Sequence, residues 1–198
     1  MKKLCLLLPV LILGACAGQT PPDLSAVKKT LYEYQSSGEY ARDVEAFYQK
    51  AQTYVLSAAK GVERPAIVMD IDETSLSNWE SLKANDLTFK LPGPCSNLPE
   101  GPCGLDAYHQ QARCPVIAPA LRLYNAAKAQ GIAVFFITGR RDYLREATIK
   151  NLKAAGYKNW DGLTLRPKTP KQSAALYKAP ARAGIEKKGY TIIATIGD

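Results

Sequence analysis

The stretch AIVMDIDETSLSN, residues 66–78, runs from apolar residues into two aspartates one residue apart, Asp70 and Asp72, with Glu73 and Thr74 directly behind them. Like charges this close repel, and burying them is costly unless something compensates. Two chemistries justify the crowding: a bound metal ion, or a reaction in which one carboxyl group is charged while its neighbour carries a proton. Two other apolar runs end in residues suited to the same chemistry. IAVFFITGR delivers Thr138, Gly139 and Arg140, and YTIIATIGD delivers Gly197 and Asp198. The segment between those two runs carries lysines, and a lysine is the natural counter-charge for a carboxylate nucleophile and an anionic substrate.

The elements that would position these groups alternate. Residues 24–59 have helical periodicity, interrupted at Gly38 and stopped at Gly61. PAIVMDI reads as a buried strand, and PVIAPALRLYNAAKAQG as a helix with proline near its start and glycine at its end. A second buried strand, a helix opening near Asp142, the short strand GLTLR, a helical stretch expected to break at Pro180, and a third long strand follow. Strands alternating with helices predict an α/β fold, a Rossmann-like parallel sheet flanked by helices, in which ligands sit at the carboxyl ends of the strands. All three candidate groups lie at such ends. Residues 75–115 are rich in Pro, Gly and Cys and read as an irregular, cap-like insertion rather than a second domain.

On IVMDIDETSLSNW, VFFITGR, YKAPARAGIEKKGY and IGD, the chain resembles the haloacid dehalogenase superfamily of phosphatases. More narrowly, it is similar to the class C, lipoprotein-type acid phosphatases and the related plant acid phosphatase and vegetative storage proteins. The resemblance covers roughly residues 24–198. It implies that Asp70 is the nucleophile and forms an aspartyl-phosphate, and that Asp72 is the general acid and base, protonated in the first step, which an acid pH optimum would suit. Thr138 would bond a phosphoryl oxygen beside the Gly139 backbone. Mg²⁺ would be held by Asp70, the Asp72 backbone carbonyl and Asp198. Lys178 is the first choice for the catalytic lysine, with Lys168 and Lys171 as rivals. Arg140 is expected at a salt bridge or the substrate edge, and Trp79, Phe89 or Tyr108 against a nucleotide base. Class C members commonly carry an acidic residue where this chain has Ser77, which blurs substrate choice. The family's last motif continues past its first aspartate, so a C-terminally truncated, nearly inactive chain is expected. The competing reading is a non-catalytic binding or storage-type relative on the same fold.

The first residues, MKKLCLLLPVLILGACAG, have a basic start, an apolar stretch and small residues at the end, the pattern of an export signal over residues 1–15. Leu13-Gly14-Ala15-Cys16 resembles the bacterial lipobox, whose cysteine receives lipid. With Ala17 next, that resemblance implies an outer-membrane lipoprotein, exported and tethered through residues 16–23. Export permits a disulfide, and Cys95 and Cys103 in the loop LPGPCSNLPEGPCG are the expected pair, leaving Cys114 free. A zinc site from the three cysteines and His109 is the alternative, although no C-x-x-C knuckle supports it. The formal charge of +8 is scattered, without a basic and aromatic run, so the expected partner is a small phosphomonoester rather than a nucleic acid polymer.

Overall fold

The computed structural model describes residues 23–90, 92–168 and 173–197. Cys16, Lys171 and Asp198, and with them the export, lipid and C-terminal expectations, lie outside the described residues. Two helices come first, α1 (Leu24–Ser36) and α2 (Glu39–Ala58), joined through Gly38, whose φ of 78° is the left-handed conformation that glycine adopts without penalty. Strand β1 (Pro65–Met69) leads into the aspartate loop. Helices α3 (Trp79–Ala84) and α4 (Leu105–Gln110) lie within the insertion, which is therefore less irregular than its composition suggests. Then come α5 (Ala118–Ala129), β2 (Ala133–Arg141), a 3₁₀ turn at Asp142–Leu144, α6 (Arg145–Ala154), β3 (Gly162–Arg166), α7 (Ala174–Glu186) and β4 (Thr191–Ile196).

Among the described residues the strands form one parallel sheet in the order β3-β2-β1-β4, the doubly wound arrangement the alternation predicts. The central strands are apolar along their length because both faces are covered. On one face α2, α5 and the insertion bury Ile67, Met69, Phe136, Tyr124 and Tyr157 in one large cluster. On the other, Val68, Phe135 and Ile137 meet Ile185 of α7 in a smaller one. Helix α7 continues through Pro180 instead of breaking there. Proline removes one backbone donor from a helix and crowds the preceding turn, a cost of about 3 kcal/mol that the packing on the sheet must offset.

Within the insertion, Cys95 and Cys103 are bonded, with an S–S distance of 2.02 Å, and Cys114 is a buried free thiol. The zinc alternative thus loses two of its thiolates, and His109 turns toward Asp72 instead. The disulfide loop is held to α3 by Asn85, whose side chain donates to the Cys103 carbonyl at 2.7 Å and accepts from the Cys103 N–H at 2.9 Å.

Candidate active site

The aspartate loop is built by its own hydrogen bonds. The Ile71 carbonyl accepts from the N–H groups of Ser75 and Leu76, each at 2.8 Å, and the Ser75 hydroxyl donates to the Asp70 carbonyl at 2.7 Å. This tight turn puts Glu73 at φ 51°, an uncommon conformation for a side chain of its size. Two buried phenols hold the turn down. Tyr48 of α2 donates to the Thr74 carbonyl at 2.7 Å, and Tyr157 donates to the Ser75 carbonyl at 3.1 Å. Ile71 is wholly buried between the two aspartates. The sheet fixes the other end, because the Asp70 N–H donates to the Ile196 carbonyl of β4 at 2.9 Å.

Asp70 and Asp72 both open onto a cavity of about 460 Å³ at the carboxyl ends of the strands. Asp70 is 8% exposed. One carboxylate oxygen accepts from the Ile71 N–H at 2.7 Å, and the other is bonded by the Lys178 ammonium. Burial raises the Asp70 pKa, and Lys178 works against that rise. Of the rival lysines, Lys168 is exposed and its backbone N–H donates to Asp142 at 3.2 Å, while Lys171 lies outside the described residues.

Asp72 stands in a different environment. Arg140 forks it, Nε and Nη2 lying 3.0 and 2.9 Å from Oδ1. Asn78 donates to the same oxygen at 3.0 Å, and His109 Nε2 lies 3.2 Å away. The Thr138 hydroxyl reaches Oδ2 at 3.5 Å. Burial acts to raise the Asp72 pKa, but the Arg140 and His109 charges and bonds outweigh it and hold the carboxyl well below the usual range. The two neighbouring carboxyls are split, as paired groups tend to be, but Asp72 is the firm anion and Asp70 the one more easily protonated.

Strand β2 carries a bulge where it reaches this site. Ile137 pairs with Thr164 and Arg141 with Arg166, so β2 spends four residues where β3 spends two. Thr138 and Arg140, two residues apart, fall on one side and are both buried, while Gly139 and Arg141 are exposed. Thr138 is not among the cavity's lining residues, because its hydroxyl accepts from the Arg140 N–H at 3.1 Å and faces Asp72. Gly139 lines the cavity, and a Cβ there would sit 3.4 Å from the Tyr177 hydroxyl. Arg140 lines the cavity too, largely buried in its salt bridge to Asp72, one of the two places expected for it, and its Nη1 has no hydrogen-bond partner.

The aromatic expectations divide. Tyr108 is wholly buried and cannot stack on a ligand. Trp79 lines a neighbouring apolar groove with Leu31, Tyr34 and Ser77, and packs edge-on against Tyr32. Phe89 is 63% exposed and lines the cavity itself. The residues that reading the sequence did not single out are Asn78, Asp106, Arg166 and Tyr177. Asn78 and Tyr177 sit in motifs already quoted, next to residues that were singled out, but Asp106 and Arg166 come from separate elements and carry no local signal.

The chain matches the family described as HAD superfamily, subfamily IIIB (Acid phosphatase) over residues 20–198. It belongs to that family. Acid phosphatase 1 of Solanum lycopersicum is 26% identical over 168 residues, 84% of this chain and 63% of that protein. The stem 28 kDa glycoprotein of Glycine max is 30% identical over 173 residues, with the same two shares. The chain thus spans less than two thirds of the length of these relatives. In fold, it is similar to the class C acid phosphatase of Bacillus anthracis solved with tungstate bound. The TM-score is 0.66 and the identity 23%, over 88% of this chain and 70% of that one.

For a subfamily IIIB acid phosphatase a divalent cation is implied, and the donor set suits a hard one. Asp70 offers carboxylate oxygen, and the end of β4 runs directly against it. A Cβ on Gly197 would lie 3.0 Å from the Asp70 Cβ and 3.8 Å from its Oδ2. A side chain at position 197 would therefore crowd Asp70. A carboxylate oxygen suits a hard divalent cation better than a soft one.

Proposed function

We propose that this chain hydrolyses phosphomonoesters through an aspartyl-phosphate on Asp70, as an exported protein anchored to the bacterial outer membrane by lipid on Cys16. The observation that carries the reaction is the pairing of Asp70 with Lys178 in the cavity where Asp72 and Arg140 also converge. A buried carboxylate at a strand end, countered by one ammonium, is a nucleophile with its charge partner in place.

In the first step an Asp70 oxygen bonds to phosphorus, the ester P–O bond breaks, and the leaving oxygen takes a proton from Asp72. In the second, water attacks phosphorus, Asp72 recovers the proton, the bond to Asp70 breaks and inorganic phosphate departs. Asp72 carries that proton only when Arg140 loosens its fork. The entering phosphoryl oxygens compete with Asp72 for the guanidinium, whose Nη1 is already unpartnered. Lys178 neutralises the nucleophile and the transferring group. Mg²⁺, held by Asp70, the Asp72 carbonyl and Asp198, supplies further charge neutralisation when bound. The exposed ring of Phe89 supports an aromatic or nucleoside leaving group, and so nucleoside monophosphates as substrates.

Phosphate release from phenyl phosphate tests the reading. Turnover should require Mg²⁺, stop on its removal by a chelator, and resume on its return. Turnover unaffected by chelation, or none in any condition, would contradict it.

A further inference from the structure

Past its bulge β2 regains its register with β3 at Arg141, which sits beside Arg166. Neighbouring strands lie about 4.8 Å apart, so two guanidinium groups start from adjacent backbone positions. Like charges placed directly across a pair of strands destabilise it. Both residues line the cavity that holds Asp70, at the end of the sheet where substrates enter. Arg141 is 45% exposed along its side chain, and its Nε lies 3.7 Å from Asp106, the outer limit of an ion pair. Asp106 is itself engaged by the Tyr143 hydroxyl. Arg166 has contacts of its own, so neither side chain is idle. The pair's standing feature is its density of positive charge at the mouth, apart from Lys178 and Arg140, which serve the two aspartates.

We infer that Arg141 and Arg166 form a second-anion subsite, so that among the phosphomonoesters accepted those bearing a further carboxylate or phosphate on the leaving group are bound more tightly than plain nucleoside monophosphates. The inference rests on the phosphomonoesterase reading for the place of the first phosphate. A guanidinium pair offers planar, bidentate donors that match a carboxylate or phosphate, which scattered surface lysines would not. Asp106 competes for Arg141, so a ligand there displaces that weak ion pair.

Binding can be measured without turnover. Benzylphosphonate and 4-carboxybenzylphosphonate are titrated into the protein by calorimetry, with Mg²⁺ present. The carboxylated ligand should bind about tenfold tighter or better, and that advantage should vanish in the double variant Arg141→Gln/Arg166→Gln while benzylphosphonate affinity changes less than about twofold. Asp106→Asn should widen the advantage. Equal affinities in the parent protein, or an advantage kept by the double variant, would overturn the subsite. Turnover of phenyl phosphate, which has no second anion, reports separately on the phosphatase reading.

Discussion

Asp70 and Asp72 share one loop and one cavity, yet the walls behind them are unlike. Asp72 is clamped from Arg140 of β2, Asn78 of the loop and His109 of α4, all packed into the larger core. Asp70 faces the thinner side, where Lys178 of α7 and the last residues of β4 meet it. The contrast teaches that an alternating pair of carboxylates is not a symmetrical unit. Asp72, the more exposed side chain at 26% against 10%, is held as an anion by the Arg140 fork and its hydrogen bonds, while the more buried Asp70 is countered by Lys178.

The largest effect should come from the Asp70 side. Asp70→Asn should lower phosphate release at least about a thousandfold with the fold intact, because it removes the nucleophile. Circular dichroism would check the fold, and a residual rate above a few per cent would break the contrast. On the clamped side the expected effect is on stability. Arg140→Met leaves the part-buried Asp72 against His109 without its main counter-charge, which should cost about 2–3 kcal/mol in urea unfolding. Adding Asp72→Asn should recover much of that loss. If Arg140→Met alone is nearly neutral, the clamp is not what holds the anion.

Much of this contrast could not be read in the chain. The Asp-x-Asp loop, the three strand ends and the parallel sheet were legible, because apolar runs and glycine or proline punctuation report local structure directly. The clamp on Asp72 was not. It depends on Arg140 turning inward to a residue 68 positions away, and T-G-R read linearly gives no sign of that partner. His109 looked like a metal candidate in a cysteine-rich stretch, since nothing local shows α4 bringing it to Asp72. Trp79 and Tyr108 looked like ligand platforms because residue type alone does not reveal burial.

Smaller effects sharpen the account of the packed wall. Replacing Cys95 and Cys103 with serine opens the loop that is tied to α3, and should cost about 2.5 kcal/mol by the loop-closure estimate. Unchanged urea unfolding would mean the loop is held by Asn85 and its neighbours instead. The least expected effect is at alkaline pH. Burial raises the pKa of Tyr48 and Tyr157, which pin the aspartate loop, and pushes Tyr124 up to about 12. Folded values above the unfolded one give stability that is fully present below pH about 10 and lost as pH rises through the folded values. The urea midpoint should therefore fall above that pH, and a flat midpoint would argue against burial of these phenols.

The most direct measurement is capture of the intermediate. The protein is mixed with phenyl phosphate and Mg²⁺, quenched in acid, digested, and mapped by mass spectrometry. The phosphoryl group should be found on Asp70, and Asp72 should be unmodified. A phosphoryl group on Asp72 or another residue, or steady turnover with none captured, would contradict the assignment of Asp70 as the nucleophile.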